Sequence, residues 1–188
     1  MKKVILLGDS IRLLGYGPRV PTLLGSDFTV WQPEDNGRFA SYTLRMLYDY
    51  ADTIRGADVI HFNCGLWDTC DLFGDGPFTP LPVYVDTMVR IARILRSYLA
   101  PGGHLIFATT TVPDPRMPGH TADRIRDYNQ AILDAYAKEG DILIDDLYTP
   151  VRADVAGLIC EDRIHLNDKG VALCADLVAA AIRAAAGA

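Results

Sequence analysis

The sequence predicts a three-layer α/β/α sandwich built around a five-stranded parallel sheet. Three observations carry this reading. Five apolar runs are too short for helices, stretches of helical periodicity lie between them, and Gly- and Pro-rich connections follow the third and fourth runs. Short apolar runs rich in β-branched and aromatic residues mark strands covered on both faces. Their alternation with helices implies parallel strands joined by right-handed crossovers.

The expected strands are residues 4–7, 28–32, 59–62, 104–109 and 141–144. Between the second and third, Leu44, Leu47 and Tyr48 share one helical face, and after the third Met88, Ile91, Ile94 and Leu95 do the same. Two further helices are expected over 125–136 and 169–186, the last rich in alanine. The connections 74–82 and 112–120 follow the third and fourth strands, so both project from the carboxyl edge of the sheet, where open α/β folds bind ligands.

With 188 residues the chain has the length of one domain, expected to span 1–188. A net charge of −6 and no basic stripe argue against nucleic acid or an anionic membrane as partner. No apolar stretch approaches the roughly 20 residues of a membrane span. The apolar run before Gly8 is too short for a signal core, so the expected location is cytoplasmic. Cys64, Cys70, Cys160 and Cys174 form no CxxC pair and are expected to be reduced structural thiols, with no metal site.

The first strand runs directly into Gly8-Asp9-Ser10, which places a hydroxyl at the carboxyl edge of the sheet. Near the other end stands Asp162-Arg163-Ile164-His165. A carboxylate and an imidazole three residues apart can meet on one turn, leaving the other ring nitrogen free. Serine needs a base within hydrogen-bond reach, and the base needs a partner that fixes its tautomer. Ser10, His165 and Asp162 supply these roles. Among the four serines and four histidines, Ser26 and Ser97 are expected in or beside surface turns and His61 and His104 within strands. The non-catalytic alternative makes Ser10 a helix cap, Asp162 a turn former and His165 a packed residue ahead of the last helix, with Asp168 as its cap. Asp9 is expected to brace the turn through backbone hydrogen bonds.

GDS after the first strand and DxxH before the last helix resemble the first and last sequence blocks of the GDSL/SGNH hydrolases, a likeness that spans the whole chain. The resemblance implies a flavodoxin-like sandwich and a serine esterase with no cofactor, acting on a small-molecule ester through Ser10, Asp162 and His165. It also implies three oxyanion donors. One is the backbone N–H of Ser10. The second falls on Ser41 if Thr43 takes the family's usual Thr position, with Gly37 as the other choice. The third is normally the Asn of GxND, but this chain reads Asn63-Cys64-Gly65-Leu66-Trp67-Asp68, with Trp67 in the Asn slot. The string is similar to a subgroup with NxGLHD, which makes Asn63 the expected donor and Trp67 a lining residue of the substrate pocket.

Trp67, Phe73, Phe78 and Tyr84 accompany the loop after the third strand and suit an apolar acyl group or a sugar face, some of them as core residues. Family analogy favours a small acyl ester, with an acetylated carbohydrate as one form. Arg116, Arg124 and Arg126 are expected to be solvated helix charges more than an anion site. Two other functions compete. One is a ligand-binding domain of the same fold whose triad is a relic. The other is a phosphate or nucleotide binder, which would need several N–H donors where this chain has the apolar Ile11, Leu13 and Leu14.

Overall fold

In the computed structural model, which describes residues 1–187, all five apolar runs are strands: β1 (Lys2–Leu7), β2 (Phe28–Trp31), β3 (Ala57–Asn63), β4 (Leu99–Ala108) and β5 (Ile142–Asp145). They form one parallel sheet in the order β2-β1-β3-β4-β5, the flavodoxin-like arrangement. Four longer helices match the periodic segments: α2 (Ala40–Asp49), α4 (Leu81–Tyr98), α5 (Ala122–Glu139) and α8 (Asp168–Ala186). The short helices α1 (Val20–Leu24), α3 (Ala51–Ile54), α6 (Tyr148–Ala153) and α7 (Val155–Leu158) lie in the connections.

The side-chain period of two divides the strand residues between two cores. Val4, Leu6, Val59 and Ile106 pack with residues of α1 and α8 on one face. Ile5, Leu7, Ile60, Phe62, Leu105 and Phe107 pack with residues of α2, α4 and α5 on the other. Burying each such side chain contributes about 1.5–3 kcal/mol. The sheet can therefore hold its carboxyl edge rigid where β1 lies beside both β2 and β3.

Three local expectations change. β4 begins at Leu99, well before His104, because Leu99 pairs with Ala57 and the backbone crosses Pro101-Gly102-Gly103 without leaving the sheet. Ser97 lies in the last turn of α4, its hydroxyl donating to the Ile94 carbonyl at 2.7 Å, and not in a surface turn. Helix α8 is capped by Asn167, whose side chain accepts from the N–H groups of Lys169 at 2.9 Å and Gly170 at 3.1 Å. Asp168 instead opens the helix and pairs with Arg19 at 3.5 Å. Among the described residues, no helix is long and apolar enough to cross a membrane.

Candidate active site

β1 delivers Gly8-Asp9-Ser10 to a widely wound helical turn, Ile11–Tyr16, in which Gly17 N–H reaches back five residues to the Arg12 carbonyl. Ser10 precedes this turn with unstrained dihedrals (φ −63°, ψ −25°), and its hydroxyl makes no capping hydrogen bond. The capping role for Ser10 therefore fails. Asp9 does brace the turn: Oδ1 accepts from Ile11 N–H at 2.9 Å and from Asn63 Nδ2 at 2.8 Å. Its Oδ2 is buried without a partner. Burial pushes the Asp9 carboxyl up, against the opposing effects of those two hydrogen bonds and of the charges on Arg12 and His165.

Asn63 ends β3, and its buried amide faces β1. Oδ1 accepts from Tyr16 OH at 2.9 Å while Nδ2 spends one hydrogen on Asp9. An amide nitrogen carries two hydrogens, so one remains to donate. Gly8 makes this approach possible, since a Cβ there would lie 1.9 Å from Asn63 Oδ1.

The segment before α8 is folded back on itself by Cys160 N–H to His165 O at 2.8 Å and Asn167 N–H to Leu158 O at 2.8 Å. Within it Arg163 takes a left-handed conformation (φ 72°) that closes a tight turn. Asp162 Oδ1 then accepts from Ile164 N–H at 3.0 Å, His165 N–H at 2.9 Å and the Cys160 thiol at 2.9 Å. Its Oδ2 meets His165 Nδ1 at 2.6 Å. Burial works against the charged form of Asp162, but these hydrogen bonds outweigh it and hold the carboxyl well below the usual range. Nε2 is left as the free ring nitrogen of His165. Among the described residues no hydrogen bond joins it to Ser10.

The two choices for the second donor have different surroundings. Ser41, in the first turn of α2, is exposed on a surface groove shared with Leu44, Tyr48 and Ile94. Gly37 instead packs on the Gly8-Asp9-Ser10 turn, its N–H donating to the Gly8 carbonyl at 2.9 Å, and a Cβ at Gly37 would lie 2.8 Å from that oxygen. Thr43, the residue that set the register, binds the Gly37 carbonyl through Oγ1 at 2.9 Å.

Arg12 and Asp68 organise this region and carry no local sequence signal. Arg12 is fully buried, with Nη1 on the Pro33 carbonyl at 2.8 Å and Nη2 on those of Asp35 at 2.6 Å and Gly8 at 3.2 Å. It lashes the loop after β2 to the end of β1. Asp68 accepts the Ala40 N–H through both oxygens, at 3.0 and 3.2 Å, and so caps α2, whose own Phe39 cannot.

Trp67 is 38% exposed and stacks edge-to-face on Phe39 with ring centroids 5.4 Å apart. It lines an apolar pocket of about 200 Å³. Phe73 and Phe78 are exposed, whereas Tyr84 is buried in α4 with its hydroxyl on the Cys64 carbonyl at 2.8 Å. The arginines form no anion site. Arg116 pairs with Asp114, Arg126 with Asp123 and Asp127, and Arg124 with Asp71 and the carbonyls of Thr69 and Gly119. All four cysteines are free thiols. Among the described residues no group of three or more His, Cys, Asp or Glu is placed to hold a metal.

The sheet order and the flanking helix layers are the fold of the GDSL/SGNH esterases and lipases. No protein-family model and no curated protein matches the sequence. Solved structures do match. A lipase/acylhydrolase from Enterococcus faecalis superposes with a TM-score of 0.78 at 18% identity, covering 98% of this chain and 96% of its own. The acetyl xylan esterase AlAXEase gives 0.75 at 21%, covering 96% and 99%. A lipolytic G-D-S-L family member from Veillonella parvula gives 0.68 at 22%, covering 95% and 96%. Catalytic mutants of Axe2, an acetylxylan esterase from Geobacillus stearothermophilus, are also similar in fold; they replace a Ser, an Asp and a His, the last two three positions apart.

Proposed function

We propose that this chain is a serine esterase that cleaves a small acyl ester through an acyl-enzyme, with Ser10 as nucleophile, His165 as base and Asp162 as its orienting partner. The observation that carries the reading is the 2.6 Å contact of Asp162 with His165 Nδ1, which leaves Nε2 free to serve as a base. The Asp and His substituted in the Axe2 mutants have the same spacing, which supports these assignments. The two acetyl xylan esterases among the similar structures make acetylated carbohydrates a natural substrate class to test.

In this mechanism neutral His165 takes the Ser10 proton through Nε2 as Oγ attacks the ester carbonyl, and Asp162 stabilises the imidazolium that forms. The negative charge then developing on the carbonyl oxygen meets the Ser10 N–H and the remaining Nδ2 hydrogen of Asn63. Neither choice for the remaining backbone donor points there unaided: the Gly37 N–H is spent on the Gly8 carbonyl at 2.9 Å, and Ser41 is exposed on the groove of α2. His165 returns its proton to the leaving alcohol, and water repeats the sequence on the acyl-enzyme.

Trp67 in the usual Asn slot is the observation that favours the second reading, a ligand-binding domain with a relic triad. A fluorophosphonate probe separates the two, because only a serine activated by a base reacts with it. The expected result is labelling of Ser10 that disappears in Ser10→Ala. Folded protein that takes no label, or takes it elsewhere, would overturn the hydrolase reading.

A further inference from the structure

The apolar pocket is walled by parts of the two segments that carry Asn63 and His165. Leu66 and Trp67 follow Asn63, Ile164 directly precedes His165, and Phe78 and Met117 close the remaining sides. Its walls are tied together in advance. Asp71 N–H donates to the Gly119 carbonyl at 2.8 Å, Arg124 holds the Thr69 and Gly119 carbonyls, and Asp114 N–H binds the Arg163 carbonyl at 2.9 Å. Such pre-formed, mostly apolar concavities are where small molecules bind.

We infer that the ester carries a hydrocarbon group of about six to eight carbons that seats in this pocket, an inference that rests on the esterase reading and narrows its substrate. The volume of about 200 Å³ exceeds the roughly 150 Å³ of an apolar cavity that accepts benzene. The chemistry of the walls agrees. His120 is the one side chain with a nitrogen or oxygen hydrogen-bonding group among the residues around the pocket apart from the Trp67 indole, and its Nδ1 is buried without a partner. A sugar ring placed here would give up the hydration of several hydroxyls with a single imidazole and an indole N–H to replace it. A hydrocarbon gives up nothing of the kind.

The pocket can receive the acyl or the alcohol half, and two ester series distinguish them. Ethyl esters of acetic, butyric, hexanoic and octanoic acids vary the acyl group, and ethyl, butyl, hexyl and octyl acetates vary the alcohol, with proton release followed at constant pH. We expect kcat/KM to climb about fourfold per added methylene in one series and to level off near eight carbons. Met117→Trp, which fills the pocket, should flatten that climb. Calorimetry on Ser10→Ala reads the same preference without turnover: ethyl hexanoate or hexyl acetate should bind more tightly than ethyl acetate, with a negative heat-capacity change. Hydrolysis with no chain-length dependence in either series would sink the pocket inference and leave the esterase intact. So would a kcat/KM for acetylated xylo-oligosaccharides above that of every alkyl ester. Failure of folded protein to cleave any ester would instead sink the esterase reading on which the inference stands.

Discussion

Gly8 shows how narrowly the residues around Ser10 are specified. Any side chain there collides with the Asn63 amide, and that amide is held at both ends, by Tyr16 and Asp9, so it cannot swing aside. An amide so fixed suits an oxyanion donor, whose value depends on being in place before charge develops. Asn63→Ala should lower kcat by about 100- to 1000-fold with a modest change in KM, whereas Trp67→Ala, a pocket-wall substitution, should mainly raise KM. Steady-state kinetics on the two variants checks this, and the reverse pattern would move the donor to the other residue. The contact of Asp162 with His165 was legible in the sequence because the two groups stand three residues apart. Arg12 and Asp68 were not. Apart from the Gly8 carbonyl, the partners that define their roles lie 21 to 28 residues away, and nothing local distinguishes a buried Arg that braces carbonyls from one on a surface.

Among the elements, the long helices and all five strands were legible because periodicity over ten or more residues, or an unbroken apolar run, leaves a pattern. The single-turn helices α1, α3, α6 and α7 leave none, and the early start of β4 was hidden by glycines that mark turns elsewhere. The junction into α8 has the most bearing on the site. Asn167 caps the helix and also donates through Nδ2 to the Gly157 carbonyl at 2.8 Å, so it fastens the turn holding His165 to α7. Replacing a capping Asn by Ala typically costs about 1 kcal/mol. Asn167→Ala should therefore lower the melting temperature by about 2–4 °C in a chain of this size. It should also reduce kcat, because His165 sits two residues upstream of the lost anchor. A variant with the lower melting temperature and unchanged kcat would show that the His165 turn is held by its own backbone hydrogen bonds alone.

At the scale of the whole molecule, titratable groups of opposite behaviour share the fold, and their balance sets its response to acid. His120 is buried, and burial first, then the nearby charge of Arg124, lowers its pKa below the ordinary 6.5. The unfolded chain therefore takes up a proton on this residue at a higher pH than the folded chain does. Stability rises with pH wherever the unfolded state binds more protons, so His120 contributes stability that is present above about pH 6.5 and lost as the pH falls below it. Asp162 acts in the same direction but lower down: its depressed pKa means that its contribution persists until the pH falls below the ordinary carboxylate value of 3.8. Asp9 and Asp68 have the opposite sign, since burial raises both and the folded state binds their protons more readily. They lessen the loss on acidification. Comparing wild type with His120→Gln cancels the carboxylates and isolates the imidazole, because Gln stays neutral throughout. Between about pH 7.5 and about pH 5.5 the wild-type melting temperature should fall further than that of His120→Gln, and the two curves should run parallel above that range. Equal losses would mean that His120 gains a hydrogen-bond partner on protonation that offsets its burial.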